Sequence, residues 1–286
     1  MLVIVGMIVV VMAVIGGFIL AGGHIMALLE PAGIEMIIIG GAGLGAFIAS
    51  NPMKLIKASI GGSFGLLKGS KYKRQDYIDI MKLLYEILTK IRKEGMMAIE
   101  DHVEHPENSS IFQKYPRILG DHHLLDFITD CLRLMIGGNL DPNELESMLE
   151  LELETHHKEA GEPAHAVQKS ADGFPAFGIV AAVLGIVKVM SIVGDAPPSV
   201  IGAKVAGALV GTFLGILIGY GFVGPIAASL EHKAHEDAKA FEVVKMALVS
   251  SVRGYAPSVA IEFARKILFS DVKPSFADLE AELKGK

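Results

Sequence analysis

The residues that could do chemistry are few. Residues 37–46, IIIGGAGLGA, place Gly41, Gly43 and Ala46 at the spacing of a dinucleotide-binding loop. Such a loop needs a strand before it, a helix after it and an acid about 20 residues further on. Here membrane-length hydrophobicity flanks the run, and residues 61–66, GGSFGL, hold no acid, so close helix packing accounts better for the glycines. Histidines come in pairs beside acids: His102 and His105, His122 and His123, His156 and His157. Adjacent residues on a helix point about 100° apart, so neither contiguous pair chelates alone, and solvated surface positions are expected rather than a metal site. Cys131 is the single cysteine, which excludes an intrachain disulfide; its helical, polar-domain setting points to buried packing. There is no nucleophile elbow, phosphate loop or HExxH helix. No catalytic residue, cofactor or metal is assigned, and an enzyme is not expected.

What remains is chemistry of close approach. Residues 208–225, ALVGTFLGILIGYGFVGP, are long enough to cross a membrane and contain no acid or base. Gly207, Gly211, Gly215 and Gly219 recur every fourth residue and so share one helix face. Lipid offers helices no hydrophobic drive to associate, so backbone approach across small residues supplies the contact. An earlier apolar run offers Gly178, Ala181, Ala182 and Gly185 as a match. Two readings stand: packing within the chain, or docking of another chain's helix. Thr212 lies at the edge of the stripe, where its hydroxyl would meet whatever packs there.

The elements that position these residues follow from composition. Hydrophobic residues make up 51% and charged residues 20%, with mean hydropathy +0.48, so the charges are segregated from the apolar runs. Four runs have spanning length: Leu2 to Leu20, Ile34 to Ser50, Phe174 to Val193 and Ile201 to Gly224. No basic residue precedes the first, which reads as a retained helix rather than a secretory signal. All Lys and Arg except Lys188 and Lys204 lie between Lys54 and Lys169 or from Lys233 onwards. Basic flanks stay cytoplasmic, so both termini are expected there, with Gly23 to Gly33 and Gly194 to Val200 as short outer turns. Glu35 falls at a span end, which leaves the chain without an intramembrane acid; Lys188 is expected to snorkel outwards.

The polar blocks carry helical periodicity. Tyr77, Ile80, Met81, Leu84, Leu88 and Ile91 mark one apolar face, and Leu124, Leu125, Ile128, Leu132 and Met135 another. Asp141, Pro142 and Glu144 start a further helix running towards Ala160, and a polar helix from Ala228 to about Ser251 continues the last span. The fold class is an all-α membrane protein: four transmembrane helices with a helical cytoplasmic domain. Its segments are 1–50 (first two spans), 51–172 (cytoplasmic), 173–225 (last two spans) and 226–286 (cytoplasmic).

In sequence order, IIIGGAGLGAF, KEGMMAIE, IFQKYPRIL, PAFGIVAAVLG, LVGTFLGILIGYGFVGP, APSVAIEFARK and KPSFADLE resemble the MotA-type stator protein of the bacterial flagellar motor over nearly the whole chain. The resemblance implies a multi-pass protein of the bacterial inner membrane. Five copies would ring the single spans of two MotB-like subunits, whose membrane aspartate carries the ion. It implies coupling roles for Pro175 and Pro225, the glycine ladder of Gly207, Gly211, Gly215 and Gly219 as the docking surface for the partner's span, an ion path lined by Thr212, and rotor contact through Arg92 and Glu100. Sodium-driven members carry threonine where this chain has Ala182, which favours protons. A one-span MotB-like partner, the rotor switch protein, further copies of the chain and the bilayer are thus the expected partners, with no nucleic acid. The alternatives are an ExbB- or TolQ-like energiser of outer-membrane processes, normally with three spans, and a non-conducting membrane scaffold.

Reporter tags at Gly69 and Lys286 are expected to report cytoplasm; periplasmic activity at either would overturn the topology.

Overall fold

The computed structural model describes residues 2–138 and 141–284, and the side chains of all of these except residues 30–32. Lys286, one of the two reporter positions, lies outside the described residues. In chain order the α-helices are α1 (Leu2–Leu20), α2 (Ile25–Ser50), α3 (Met53–Gly65), α4 (Arg74–Glu94), α5 (Glu100–Glu104) and α6 (Pro116–Leu119). They continue with α7 (His122–Gly137), α8 (Pro142–Met190), α9 (Pro198–Ile218), α10 (Gly224–Val252), α11 (Pro257–Lys266) and α12 (Phe276–Leu283). The chain divides into two compact units: Met1–Gly69 with Ala160–Lys233, and Ser70–Glu159 with Ala234–Lys286.

Two boundaries differ from expectation. Helix α2 starts at Ile25, so residues 25–33 are helical rather than an outer loop. Hydropathy finds the apolar core of a span, but a helix runs on for as long as its backbone hydrogen bonds do. Likewise α8 is one 49-residue helix, Pro142–Met190, not a helix ending near Ala160 followed by a new span at Phe174. Pro163 and Pro175 lie inside it. An interior proline removes one backbone bond, a loss that a long helix packed on its neighbours tolerates.

In the first unit, four helical stretches are long and apolar enough to cross a membrane: Leu2–Leu20, Gly33–Ser50, a window within Pro142–Met190 and a window within Pro198–Val252. Helix α1 buries none of its residues within the chain, so its apolar surface must face lipid or other chains. Helix α2 packs along α9. Below the spans, Ala164, Val167, Ala227 and Leu230 form a small cluster, and Lys233 Nζ donates to the Gly65 carbonyl at 3.0 Å.

The second unit obeys soluble-protein rules. Tyr77, Ile80, Met81, Leu84 and Leu88 of α4, with Leu124, Ile128 and Leu132 of α7, build one core with Leu145, Leu149 and Leu153 of α8 and Phe241, Val244 and Leu248 of α10. Helix α4 opens where the Lys73 backbone N–H donates to Asp76 Oδ2 at 2.7 Å. It stops at Gly95, whose φ of 88° lies in the left-handed region that glycine favours. Arg117 pairs with the buried Asp76. Arg265 is buried and clasps two segments, donating to the Glu262 carboxylate and, at 2.9 Å, to the Pro274 carbonyl. Much of the IFQKYPRIL and APSVAIEFARK stretches is thus structural. Cys131 is buried, and burial pushes its thiol pKa up.

One histidine departs from the solvated role. His156 stacks on Phe241, with ring centroids 4.2 Å apart, and its Nδ1 is buried without a hydrogen-bond partner. Burial, followed by the neighbouring His157 and His123, lowers its pKa. The unfolded chain therefore takes up this proton first, and stability drops as pH falls below about 6.5 and through the lower native value. After division by the base-catalysed intrinsic rate, hydrogen-exchange protection across this unit in the detergent-purified protein should fall on going from about pH 7.5 to about pH 5.5, and His156→Phe should flatten part of that dependence. An unchanged slope in the variant would remove His156 as its source.

Candidate functional site

The glycine ladder of α9 is occupied inside the chain. A Cβ on Gly215 would fall 2.6 Å from the Phe174 carbonyl oxygen and 2.8 Å from the Gly178 Cα of α8. One on Gly219 would fall 2.5 Å from the Ala171 carbonyl oxygen and 3.1 Å from Pro175 Cδ, and one on Gly211 would fall 3.1 Å from Ala181 Cβ. These approaches allow Cα–H···O contacts between helices. Gly207 is only half-buried; Ala208 takes its step of the ladder, since a Cβ on Gly185 would meet Ala208 Cβ at 2.7 Å. Of the two readings, packing within the chain is the one seen: Gly211, Gly215 and Gly219 face α8. Gly43 of IIIGGAGLGA is likewise a packing glycine: a Cβ there would stand 2.5 Å from the Phe174 ring.

The two prolines converge on this seam. Pro175 lies inside α8 rather than opening it. Its missing N–H leaves the Ala171 carbonyl without a helical donor, and that is the oxygen Gly219 approaches. Gly219 also begins a five-residue π-helical turn, Gly219–Val223, in which the Gly224 N–H donates to the Gly219 carbonyl. Pro225 follows as the second residue of α10. The wider turn accommodates its ring and absent donor, and such turns mark points where a helix bends. The glycines of YGFVGP, with Pro225 four residues past Gly221, are the signal that could have revealed the turn.

Ala182 and Thr212 are both half-buried at the seam. A Cβ on Gly211 would lie 3.3 Å from the Ala182 backbone nitrogen, and one on Gly178 would lie 3.3 Å from the Thr212 Cα.

The chain does contain a buried acid among its spans. Glu35 is 8% exposed, and its Oε2 is buried with no hydrogen-bond partner. Because α2 starts at Ile25, Glu35 sits almost three turns into the helix, while remaining at the end of the apolar span Gly33–Ser50, as expected. Its Oε2 lies 2.7 Å from where a Gly211 Cβ would stand. It lines a cavity of about 500 Å³ with Ala181, Gly185, Lys188, Lys204 and Gly207. The sequence placed Glu35 at a span end without its burial, and the structure adds that burial.

In the second unit, Arg92 is exposed in the last turn of α4 and Glu100 is exposed at the first position of α5, on either side of the Gly95 stop. Neither carries a salt bridge among the described residues; the adjacent Glu94 pairs with Lys90 at 2.8 Å.

Gly215→Ala should push α8 and α9 apart and destabilise the purified protein by roughly 1–3 kcal/mol, as overpacking does. Gly202→Ala, where a Cβ meets nothing within 4 Å, is the control. Equal thermal midpoints for the two variants would show that the seam is loose.

The description of the motility protein A N-terminal region matches residues 4–95, and that of the MotA/TolQ/ExbB proton channel family matches residues 121–243. Motility protein A of Salmonella typhimurium is 46% identical over 285 residues, covering 100% of this chain and 96% of that protein. Motility protein A of Escherichia coli is 45% identical over the same length, with the same coverage. Chemotaxis protein LafT of Vibrio parahaemolyticus is 38% identical over 275 residues, 96% of this chain and 95% of its own. The solved Campylobacter jejuni MotAB structure superposes with a TM-score of 0.72 at 21% identity, covering 94% of this chain and 96% of the other. The Bacillus subtilis MotAB stator complex gives 0.68 at 23%, covering 97% of each. Spans, seam and full-length similarity agree: the chain belongs to the motility protein A family of the MotA/TolQ/ExbB proton channel proteins.

Proposed function

We propose that the chain is a flagellar stator subunit that, with a one-span MotB-like partner, forms an ion channel coupling ion influx to torque. The observation that carries this reading is the joint at Gly219–Val223. There the α8–α9 seam ends, Pro175 lies against Gly219 and Pro225 follows the turn, so a charge change beside Thr212 has a bend through which to move α9. Full-length similarity to motility proteins supports it. On this reading the ion binds a membrane aspartate of a one-span MotB-like partner, and five copies of this chain surround two such spans in the inner membrane, termini in the cytoplasm. Arg92 and Glu100 meet the rotor switch protein. Exposed charges suit a contact made and broken repeatedly, because they steer encounter without locking it. The match over residues 4–95 favours this reading over an ExbB- or TolQ-like energiser.

The ion is the proton. Sodium needs several oxygen ligands to replace its water, and Ala182 offers no side-chain oxygen beside Thr212. Expressed with its MotB-like partner in a strain lacking stators, the chain should restore swimming that is indifferent to sodium at constant ionic strength and collapses with a protonophore. Speed that rises and saturates with sodium would overturn the ion; no swimming at all would overturn the stator. In the same strain, Arg92→Glu should slow swimming without loss of insertion, and a compensating charge reversal on the rotor should partly restore it.

A further inference from the structure

We propose that Glu35 is a second proton-carrying carboxylate, contributed by this chain, which takes protons from a water-filled cavity between α2, α8 and α9 and passes them towards Thr212. The proposal rests on the reading that this chain conducts protons.

Three observations combine. First, the carboxylate is costly where it stands. Glu35 is 8% exposed and its Oε2 has no hydrogen-bond partner, whereas packing alone would be served by an apolar residue. Second, it is not half of a structural ion pair. Lys188 of α8 and Lys204 of α9 line the same cavity, and no other charged group among the described lining residues does, yet neither lysine comes within salt-bridge distance of it. Third, the cavity is large enough for water. Its volume of about 500 Å³ holds on the order of ten molecules. It is lined by Ala27 near the start of α2, Lys188 near the end of α8 and Lys204 near the start of α9, so it lies towards the turns at 21–24 and 191–197. Both lysines are exposed, so it reaches the surface.

The occupant follows from the donor set. One carboxylate offers a metal cation too few oxygens to replace its water. A proton needs only a water chain. In the step proposed, an O–H bond forms on the Glu35 carboxylate as a hydronium O–H bond breaks and leaves water. The carboxyl O–H then breaks as the proton passes through water to the membrane carboxylate of the partner. Gly211 makes the transfer possible: Oε2 lies 2.7 Å from where its Cβ would stand, and Thr212 is the next residue.

The test uses the full chain expressed with its MotB-like partner in a strain lacking stators, with motor speed recorded at high and low load and at several external pH values. Glu35→Gln should reach the membrane at wild-type level and keep torque near stall, where proton flux is slow. Its low-load speed should fall roughly tenfold and lose its pH dependence, while Glu35→Asp keeps most of both. Wild-type speed at every load in Glu35→Gln would overturn the proposal. So would a fall in membrane-assembled complex in both Glu35→Gln and Glu35→Ala with the speed per motor unit unchanged, which marks a packing role. Carboxyl infrared difference spectra of the wild-type complex, with the band assigned by Glu35→Asp, give a readout independent of motility: a band that titrates supports the relay, and a fixed one overturns it. Failure of the wild-type chain to restore swimming would instead sink the stator reading.

Discussion

The structure depends on one constraint: in a medium without water, α8 and α9 can hold together only by bringing their backbones close. Gly178, Gly211, Gly215 and Gly219 permit that approach, placing carbonyl oxygens of each helix against Cα atoms of the other. Contacts of α2 with α8 and α9 are arranged around this seam. Phe174 closes over Gly43, Ala208 seats on Gly185, and Glu35 reaches Gly211 because no side chain stands there. A ladder that first reads as a surface for another chain is filled from within, which leaves other faces of the four spans for partners.

The seam also explains how interior prolines are accommodated. Pro175 strips the Ala171 carbonyl of its donor, and Gly219 comes up against that oxygen. From Gly219 the chain widens into a π turn before Pro225. One glycine therefore ends the packed seam, relieves one proline and starts the turn that admits the other. A bend placed there is cheap, because the helix has already given up regular hydrogen bonding.

The second unit is held by different physics. Its core is a water-driven apolar cluster, and its polar motifs act as clasps: Arg117 on Asp76, Arg265 on Glu262 and the Pro274 carbonyl. Arg92 and Glu100 remain exposed at the Gly95 stop. Charges used in clasps are fixed and partly buried, whereas these two stay hydrated.

The sequence by itself determined whatever depends on composition and period. Four spans followed from hydropathy; the apolar faces of α4 and α7 followed from 3.6-residue spacing, with Tyr77, Ile80, Met81, Leu84 and Leu88 buried as the period requires; the start of α8 at Pro142 followed from its capping residues. Family membership was legible too, in ordered motifs. Tertiary structure decided what those signals do not encode. Hydropathy cannot show that α2 starts at Ile25, because helical hydrogen bonds continue past the apolar residues, nor that Glu35, at the span end, is buried against α9. It cannot show that α8 survives Pro163 and Pro175, because the compensation comes from packing. Nor can a glycine period name the helix that fills it, because the period fixes which face is small and leaves open what lies against it; only the folded chain brings Gly178 onto Gly215 and Glu35 onto Gly211.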